Sequence, residues 1–381
     1  MPIPLPLAGV RVLEFCQIAA GPFAAMLLAD RGADVIKIES PEGDGMRGWP
    51  PHTSGFSENF ASLNRNKRSI VLNLKEPADQ AFARRLCSSA DVVLENFRPG
   101  VMERLGLGYE ALLAAKPELV YCSISAFGQQ GPRAQEGGFD VTLQAAGGVM
   151  SVTGEPDGGP VKCGVPLTDF SAGLYAAYAV ATAVLHARST GVGERIDVPM
   201  FGTTLAIAAL QTSQYFGTGR DPQRLGSAHP RNAPYQAFKA KDGYFVLAAG
   251  NDDLFRRACE GIDRTDLIRD SRFETTALRA RNQDALTEIL EAEFARLTAD
   301  ECLAIMRTQG VPCAPINGYA DALADPQVAY YGWVQPLELP GGATTRTFVS
   351  PLGPGAQVHR PPPALGQHSS EVRAEMEAWP R

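Results

Sequence analysis

Asp169 is the carboxylate whose setting invites chemistry. It stands in Pro166-Leu167-Thr168-Asp169-Phe170-Ser171-Ala172-Gly173-Leu174, where a polar connection gives way to a long apolar run. Phe170, Leu174, Tyr178, Ala181 and Leu185 recur at steps of three and four, the spacing of one helix face. That spacing puts Asp169 at or next to the first residue of a helix, where unpartnered backbone N–H groups and the helix dipole favour negative charge. Two readings fit. Asp is a good N-cap, worth about 1 kcal/mol. That is the ordinary reading of the stretch taken alone; the functional one is a nucleophilic carboxylate whose developing oxyanion would meet backbone donors. The stretch by itself leaves both open.

The other polar groups placed for chemistry follow predicted strands. Residues 10–16 alternate and are rich in β-formers, and Gln17 follows them; residues 91–95 form another such run, closed by Asn96, Phe97 and Arg98. The pattern strand 10–16, helix 23–31, strand 34–39 is a β-α-β unit, which implies parallel strands in a doubly wound sheet. Ligands in such sheets sit at the carboxyl ends of the strands. Further strands are expected at 69–74, 118–125 and 194–200, with helices at 77–88, 101–105, 109–115 and 201–215. Residues 42–60, rich in Gly and Pro, read as a long loop.

A boundary is expected where composition turns loop-like near 217–234. The organisation read from this is α/β: a large Rossmann-like domain over 1–217, completed by 326–381, and a smaller α+β domain over 218–325. The smaller region carries a strand at 243–248 and helices at 253–261, 277–297 and 298–307, and the Pro-rich tail is expected to wrap.

The turn 17–22 has no G-x-G-x-x-G, and neither a P-loop nor a G-x-S-x-G elbow occurs anywhere. The seven cysteines are scattered and the five histidines lie far apart, so no metal motif is present and reduced core thiols are expected. A net charge of −7 argues against nucleic acid. The apolar runs read as too short and mixed to span a bilayer, and residues 1–6 lack a leader signature, which points to the cytoplasm. Gln, Asn, Arg and Phe at strand ends, with Asp169, suit a polar phosphate-bearing ligand without identifying it.

Several stretches together resemble the class III coenzyme A transferases, the family of formyl-CoA transferase and carnitine CoA-transferase. They are Val12-Leu13-Glu14-Phe15 through Ala20-Gly21-Pro22, Gly32-Ala33-Asp34-Val35-Ile36-Lys37-Ile38-Glu39, Asn66-Lys67-Arg68-Ser69, Glu95-Asn96-Phe97-Arg98-Pro99-Gly100, Ser123-Ile124-Ser125-Ala126-Phe127-Gly128 and Gly310-Val311-Pro312-Cys313-Ala314-Pro315. The tail Pro361-Pro362-Pro363-Ala364-Leu365-Gly366 fits as well, so the resemblance spans nearly the whole chain.

The resemblance implies that Asp169 is the nucleophile and Gln17 its neighbour. Asp169 would pass through a mixed anhydride to an aspartyl-CoA thioester. With an ordinary pKa of ~3.9 it would be ionised at pH 7 and need no general base. CoA contacts carry over as Leu72, Lys75, Asn96, Phe97, Arg104 and Asp140. Coenzyme A is then a substrate, no permanently bound cofactor or metal is expected, and two chains interlock as a homodimer.

The related racemase branch has a His where this chain has Phe139, which cannot transfer a proton, so transfer is favoured over racemisation. A non-catalytic CoA-binding paralogue is disfavoured by the intact Asp169 and Gln17. The stretch 248–252, with Ala249 and Gly250, matches the family's glycine-rich lid but has fewer glycines. Residues 234–251 look more like the branch using succinyl-CoA and small dicarboxylates such as glutarate. Arg47 and Arg231 are the cations considered for the distal carboxylate.

Overall fold

The computed structural model describes residues 5–352 and 357–378. The first four residues, on which the reading for a leader partly rests, lie outside the described residues, as do 353–356 and 379–381 of the tail.

The chain divides into two compact units, one made of Met1–Val149, Lys162–Arg220 and Pro326–Arg381, the other of Met150–Val161 and Asp221–Asp325. The segment Met150–Val161 thus groups with the second unit, whereas the sequence reading put it in the first.

The first unit is built on a six-stranded sheet of β1 (Arg11–Phe15), β2 (Asp34–Glu39), β3 (Lys67–Val71), β4 (Val92–Glu95), β5 (Val120–Ser125) and β6 (Arg195–Pro199). The spatial order is β3-β2-β1-β4-β5-β6 and every pairing is parallel. That order reverses between β1 and β4, so a crevice opens beyond their carboxyl ends. Both faces are covered, as in parallel sheets generally. Val12, Val35, Leu94, Cys122 and Ile124 face helix α1 (Ala20–Asp30) and a later helix, Leu167–Thr190. The alternate residues Leu13, Ile36, Ile70, Val93 and Tyr121 face the opposite layer, which includes Val372 and Met376 of the last helix.

Between β5 and β6 the chain forms α2 (Asp140–Ala146) and α3 (Leu167–Thr190). Helix α3 has 24 residues and is long and apolar enough to cross a membrane by length and composition, contrary to the shorter run read from sequence. Its Ala172, Ala176, Val180 and Ala183 are buried against the sheet, so it serves as the core helix of this unit. Helices α1 and α3 cross closely: a Cβ on Gly173 would meet the Ala20 carbonyl oxygen at 2.8 Å.

Residues 42–60 are more ordered than a loop. They hold a 3₁₀ turn at Gly45–Gly48, a small antiparallel pair at His52–Thr53 and Phe56–Ser57, and the start of helix Glu58–Asn64. Third-strand pairing begins at Lys67 rather than residue 69, because Lys67 and Arg68 enter the sheet buried with their charges paired, Lys67 to the buried Glu14 and Arg68 to the half-buried Asp34. The helix expected at 201–215 breaks at Ala208 into Met200–Ile207 and Ala209–Thr218. The tail wraps back onto β3, where the His368 amide donates to the Ser69 carbonyl at 2.9 Å.

The second unit has a three-stranded antiparallel sheet of Tyr235–Lys239, Tyr244–Ala248 and Cys313–Pro315. The first and last of these strands escaped the sequence reading. In its core Phe294 packs edge-on against both Phe238 and Phe245, at ring-centroid distances of 5.5 and 5.0 Å, while Phe238 and Phe245 lie tilted at 6.4 Å. The helix expected over 277–297 is divided at Asn282.

Candidate active site

The crevice at the sheet's switch point is a cavity of about 490 Å³. Gln17 and Ile18 line it from the end of β1, Asn96, Phe97 and Arg98 from the end of β4, and Asp169 from the first turn of α3. Three segments far apart in the chain therefore meet where strand order reverses.

Asp169 is the third residue of α3, because the helix starts at Leu167. It is not a cap. The amide of Thr168 donates to Oδ1 of Asp140 at 2.9 Å and the Thr168 hydroxyl donates to the same oxygen at 2.8 Å. Asp140 thus caps α3 from another helix. Its second oxygen accepts from Gln144 Nε2 at 2.7 Å, and Gln144 Oε1 accepts the Cys163 amide at 2.8 Å. Asp140 was expected to contact CoA; here its carboxylate is occupied in shaping the loop that delivers Asp169.

The Asp169 carboxylate receives no hydrogen bond among the described residues. Burial first, and the nearby charge of Asp140 second, push its pKa up from 3.8 to about 7. The expectation of an ordinary carboxylate is therefore corrected. Desolvation also leaves the carboxylate more reactive as a nucleophile once ionised, since fewer solvent bonds must break.

The glutamine turn is held by its neighbours. The Gln17 amide donates to Asn96 Oδ1 at 2.9 Å, and Asn96 Nδ2 donates back to the Gln17 carbonyl at 2.9 Å. The side chain of Gln17 is exposed at the cavity. Next along, Ile18 has φ of 67°, a left-handed conformation that a β-branched residue adopts only under constraint. Below β4, the Glu95 carboxylate accepts the Phe97 amide at 2.8 Å. Burial raises Glu95 to about 7, opposed by its bond from Ser123.

The remaining expected residues separate clearly. Phe139 lines the cavity and is 74% exposed. Leu72 is 1% exposed and packs in the core, so its side chain is not a ligand contact. Lys75 and Arg104 are solvent-exposed and lie outside the cavity lining. Arg47 is not a free cation for substrate: it pairs with Glu39 at 2.7 Å, donates to the Pro363 carbonyl at 3.1 Å and stacks over Phe60 at 3.8 Å. Ala249 is fully buried in the second unit, and Gly250 abuts Asn232 there.

Sequence reading missed the floor made by Ala126, Gly137 and Gly138. A Cβ on Gly138 would meet Ala126 Cβ at 2.9 Å, and one on Gly137 would meet Arg98 Nη2 at 2.9 Å. The adjacent glycines were the available signal. Among the described residues no group of three or more His, Cys, Asp or Glu is placed to hold a metal ion.

The profile of CoA-transferase family III matches residues 7–369. The chain is 41% identical to succinate–glutarate CoA-transferase of Agrobacterium fabrum over 99% of this chain and 97% of that one. It is 38% identical to succinyl-CoA:glutarate CoA-transferase of Homo sapiens, over 97% of this chain and 86% of that one. Among solved structures, a CAIB/BAIF family protein from Brucella suis superposes with a TM-score of 0.87 at 39% identity, covering 98% of this chain and 100% of that one.

Proposed function

The chain belongs to CoA-transferase family III, and from that membership we propose that it moves CoA from succinyl-CoA to a small dicarboxylic acid of the glutarate class, through an aspartyl thioester at Asp169. The carrying observation is a carboxylate without hydrogen-bond donors, lining a cavity of about 490 Å³ that it shares with Gln17 and Asn96.

The steps balance without a cofactor. An Asp169 oxygen attacks the thioester carbon of the donor; the C–S bond breaks and CoA leaves as thiolate, giving a mixed anhydride. The thiolate then attacks the Asp169 carbonyl. The donor acid departs as carboxylate, carrying the Asp169 oxygen that made the attack, and an aspartyl-CoA thioester remains. An acceptor carboxylate runs the same steps backwards and leaves as its CoA ester. Each intermediate keeps the energy of the original thioester, so no nucleotide is consumed. The side-chain amide of Gln17 supplies an N–H donor for the oxyanion of either tetrahedral stage. Phe139 offers no proton-transfer group at the cavity wall, which favours transfer over racemisation.

The dimer belongs to the same proposal. The outward face of α3 carries Tyr178 and Leu185 at 70% and 72% exposed, and Leu210 and Phe216 follow at 62% and 82%. An apolar surface of this extent calls for cover, and a second copy of the chain fits the family expectation. Light scattering on the purified protein would return twice the chain mass if so, and the chain mass if not.

The test of the reaction is trapping. The protein is mixed with succinyl-CoA, treated with borohydride or hydroxylamine, and its peptides are mapped by mass spectrometry. Reduction or hydroxamate formation at Asp169 is the expected result. Bound donor with Asp169 unmodified would overturn the covalent route.

A further inference from the structure

We propose that the buried ion pair Lys37–Asp44 is a positioning device for the reaction, holding the strained Gln17-Ile18 turn so that the Gln17 side chain meets the reacting carbonyl. This rests on the role of Gln17 given above.

Four backbone groups surround the Gln17 side chain, and each has a named partner. Lys37 Nζ donates to the Cys16 carbonyl at 2.7 Å. Asn96 holds both the amide and the carbonyl of Gln17. The Ile18 amide donates to Asp44 Oδ1 at 3.1 Å and Oδ2 at 3.3 Å. Lys37 and Asp44 are bonded to each other at 2.9 Å, and both side chains are fully buried. The two peptide groups flanking Gln17 are therefore tied to one ion pair. The left-handed Ile18, the one β-branched residue with positive φ among the described residues, is the strain that this pair holds in place.

The pair sits in a balanced network. Glu14 bridges Lys37 at 3.0 Å and Lys67 at 2.8 Å, and Glu39 pairs with Arg47 while its Oε2 accepts the Asp44 amide at 3.1 Å. Such pairs seldom add stability over well-packed apolar residues of the same volume, so a structural account alone is weak. The geometry also links the two halves of the site. Ile18, which follows Gln17, and Phe170, which follows Asp169, pack on one apolar cluster with Met46 and Phe60. Asp44 caps the turn bearing Met46 by accepting its amide at 3.0 Å. Asp44 thus fixes the turn from its polar side and the cluster from its apolar side.

The experiment is a double-mutant cycle on steady-state transfer from succinyl-CoA to glutarate. Asp44→Asn is expected to lower kcat about 10- to 100-fold, the scale of a small misplacement of a reacting group, with KM for succinyl-CoA within about threefold. In a Gln17→Ala background the same change should cost less than about threefold, because both act through one side chain. Adding Ile18→Gly to Asp44→Asn should restore part of kcat, since glycine takes the left-handed conformation without strain. Full additivity of Asp44→Asn and Gln17→Ala would overturn the proposal, as would an undiminished kcat in Asp44→Asn. If Asp44→Asn does not fold, the paired Lys37→Met and Asp44→Leu replacement removes the charges together. Low kcat in that folded protein supports the proposal and wild-type kcat overturns it. An unchanged kcat in Gln17→Ala alone would remove the premise, a result distinct from additivity.

Discussion

Asp140 caps the helix that carries Asp169 and at the same time repels its charge. Oδ1 of Asp140 accepts the Thr168 amide at 2.9 Å, one residue before Asp169. The cap fixes where the nucleophile stands, and the negative charge, added to burial, lifts its pKa to about 7. One side chain thus fixes the position of the nucleophile and adds to the shift that burial begins.

The first consequence is a pH dependence of the donor half-reaction. Asp169 must be ionised to attack, so kcat/KM for succinyl-CoA should rise with an apparent pKa near 7 and level off above it. Asp140→Asn keeps an oxygen for the Thr168 amide but removes the charge, so the midpoint should move to lower pH. The move should be smaller than the whole displacement, because burial is the larger cause. Glu95 also titrates at about 7. Glu95→Gln should leave the Asp169 limb in place, which separates the two in a pH–rate profile.

The second concerns stability. The folded pKa of Asp169 lies above its ordinary 3.8, so the folded chain holds that proton more tightly than the unfolded one. The stabilisation is complete below about pH 3.8 and is lost as pH rises through about 7. Asp169→Asn should therefore abolish turnover yet raise stability by about 1–3 kcal/mol at pH 8, with a smaller gain at pH 5. Urea unfolding at both pH values checks the sign.

Asn96→Ala tests the clamp between β1 and β4. It removes both bonds to the Gln17 backbone, each 2.9 Å, and leaves that turn held only from the Lys37–Asp44 side. A fall in kcat of about tenfold or more is expected, with a loss of roughly 1–3 kcal/mol in stability if the freed backbone groups stay dry. Steady-state kinetics and thermal unfolding read the two effects separately.

The glycine floor gives a graded test. In Gly137→Ala the new methyl meets the mobile end of Arg98, which swings away, so KM for succinyl-CoA should change little. In Gly138→Ala it meets Ala126 Cβ and the branched carbon of Leu143 at 3.2 Å, both fixed in the core. KM should rise severalfold, and overpacking should cost about 1–3 kcal/mol. Gly173→Ala is expected to cost a similar amount, because a backbone carbonyl of α1 blocks it. Comparing KM and melting temperature across the three variants decides the order.

The sequence by itself located the six strands of the parallel sheet, because apolar spacing and turn residues act over a few neighbours, but not the short pair at 52–57, the helix Glu58–Asn64 or the break at Ala208. It also pointed to Asp169, Gln17, Asn96 and Phe97, all of which line one cavity. What it could not carry were relations between residues distant in the chain. Asp169 reads locally as a cap, and only the fold brings in Asp140 to take that place. Arg47 reads as a free loop cation, and only the fold sets Glu39 against it. Leu72 is a CoA contact by family resemblance, yet the fold turns its side chain into the core. Residue types and local periodicity choose elements; burial, charge and pKa depend on through-space distances, and those exist only once the sheet has closed on its helices.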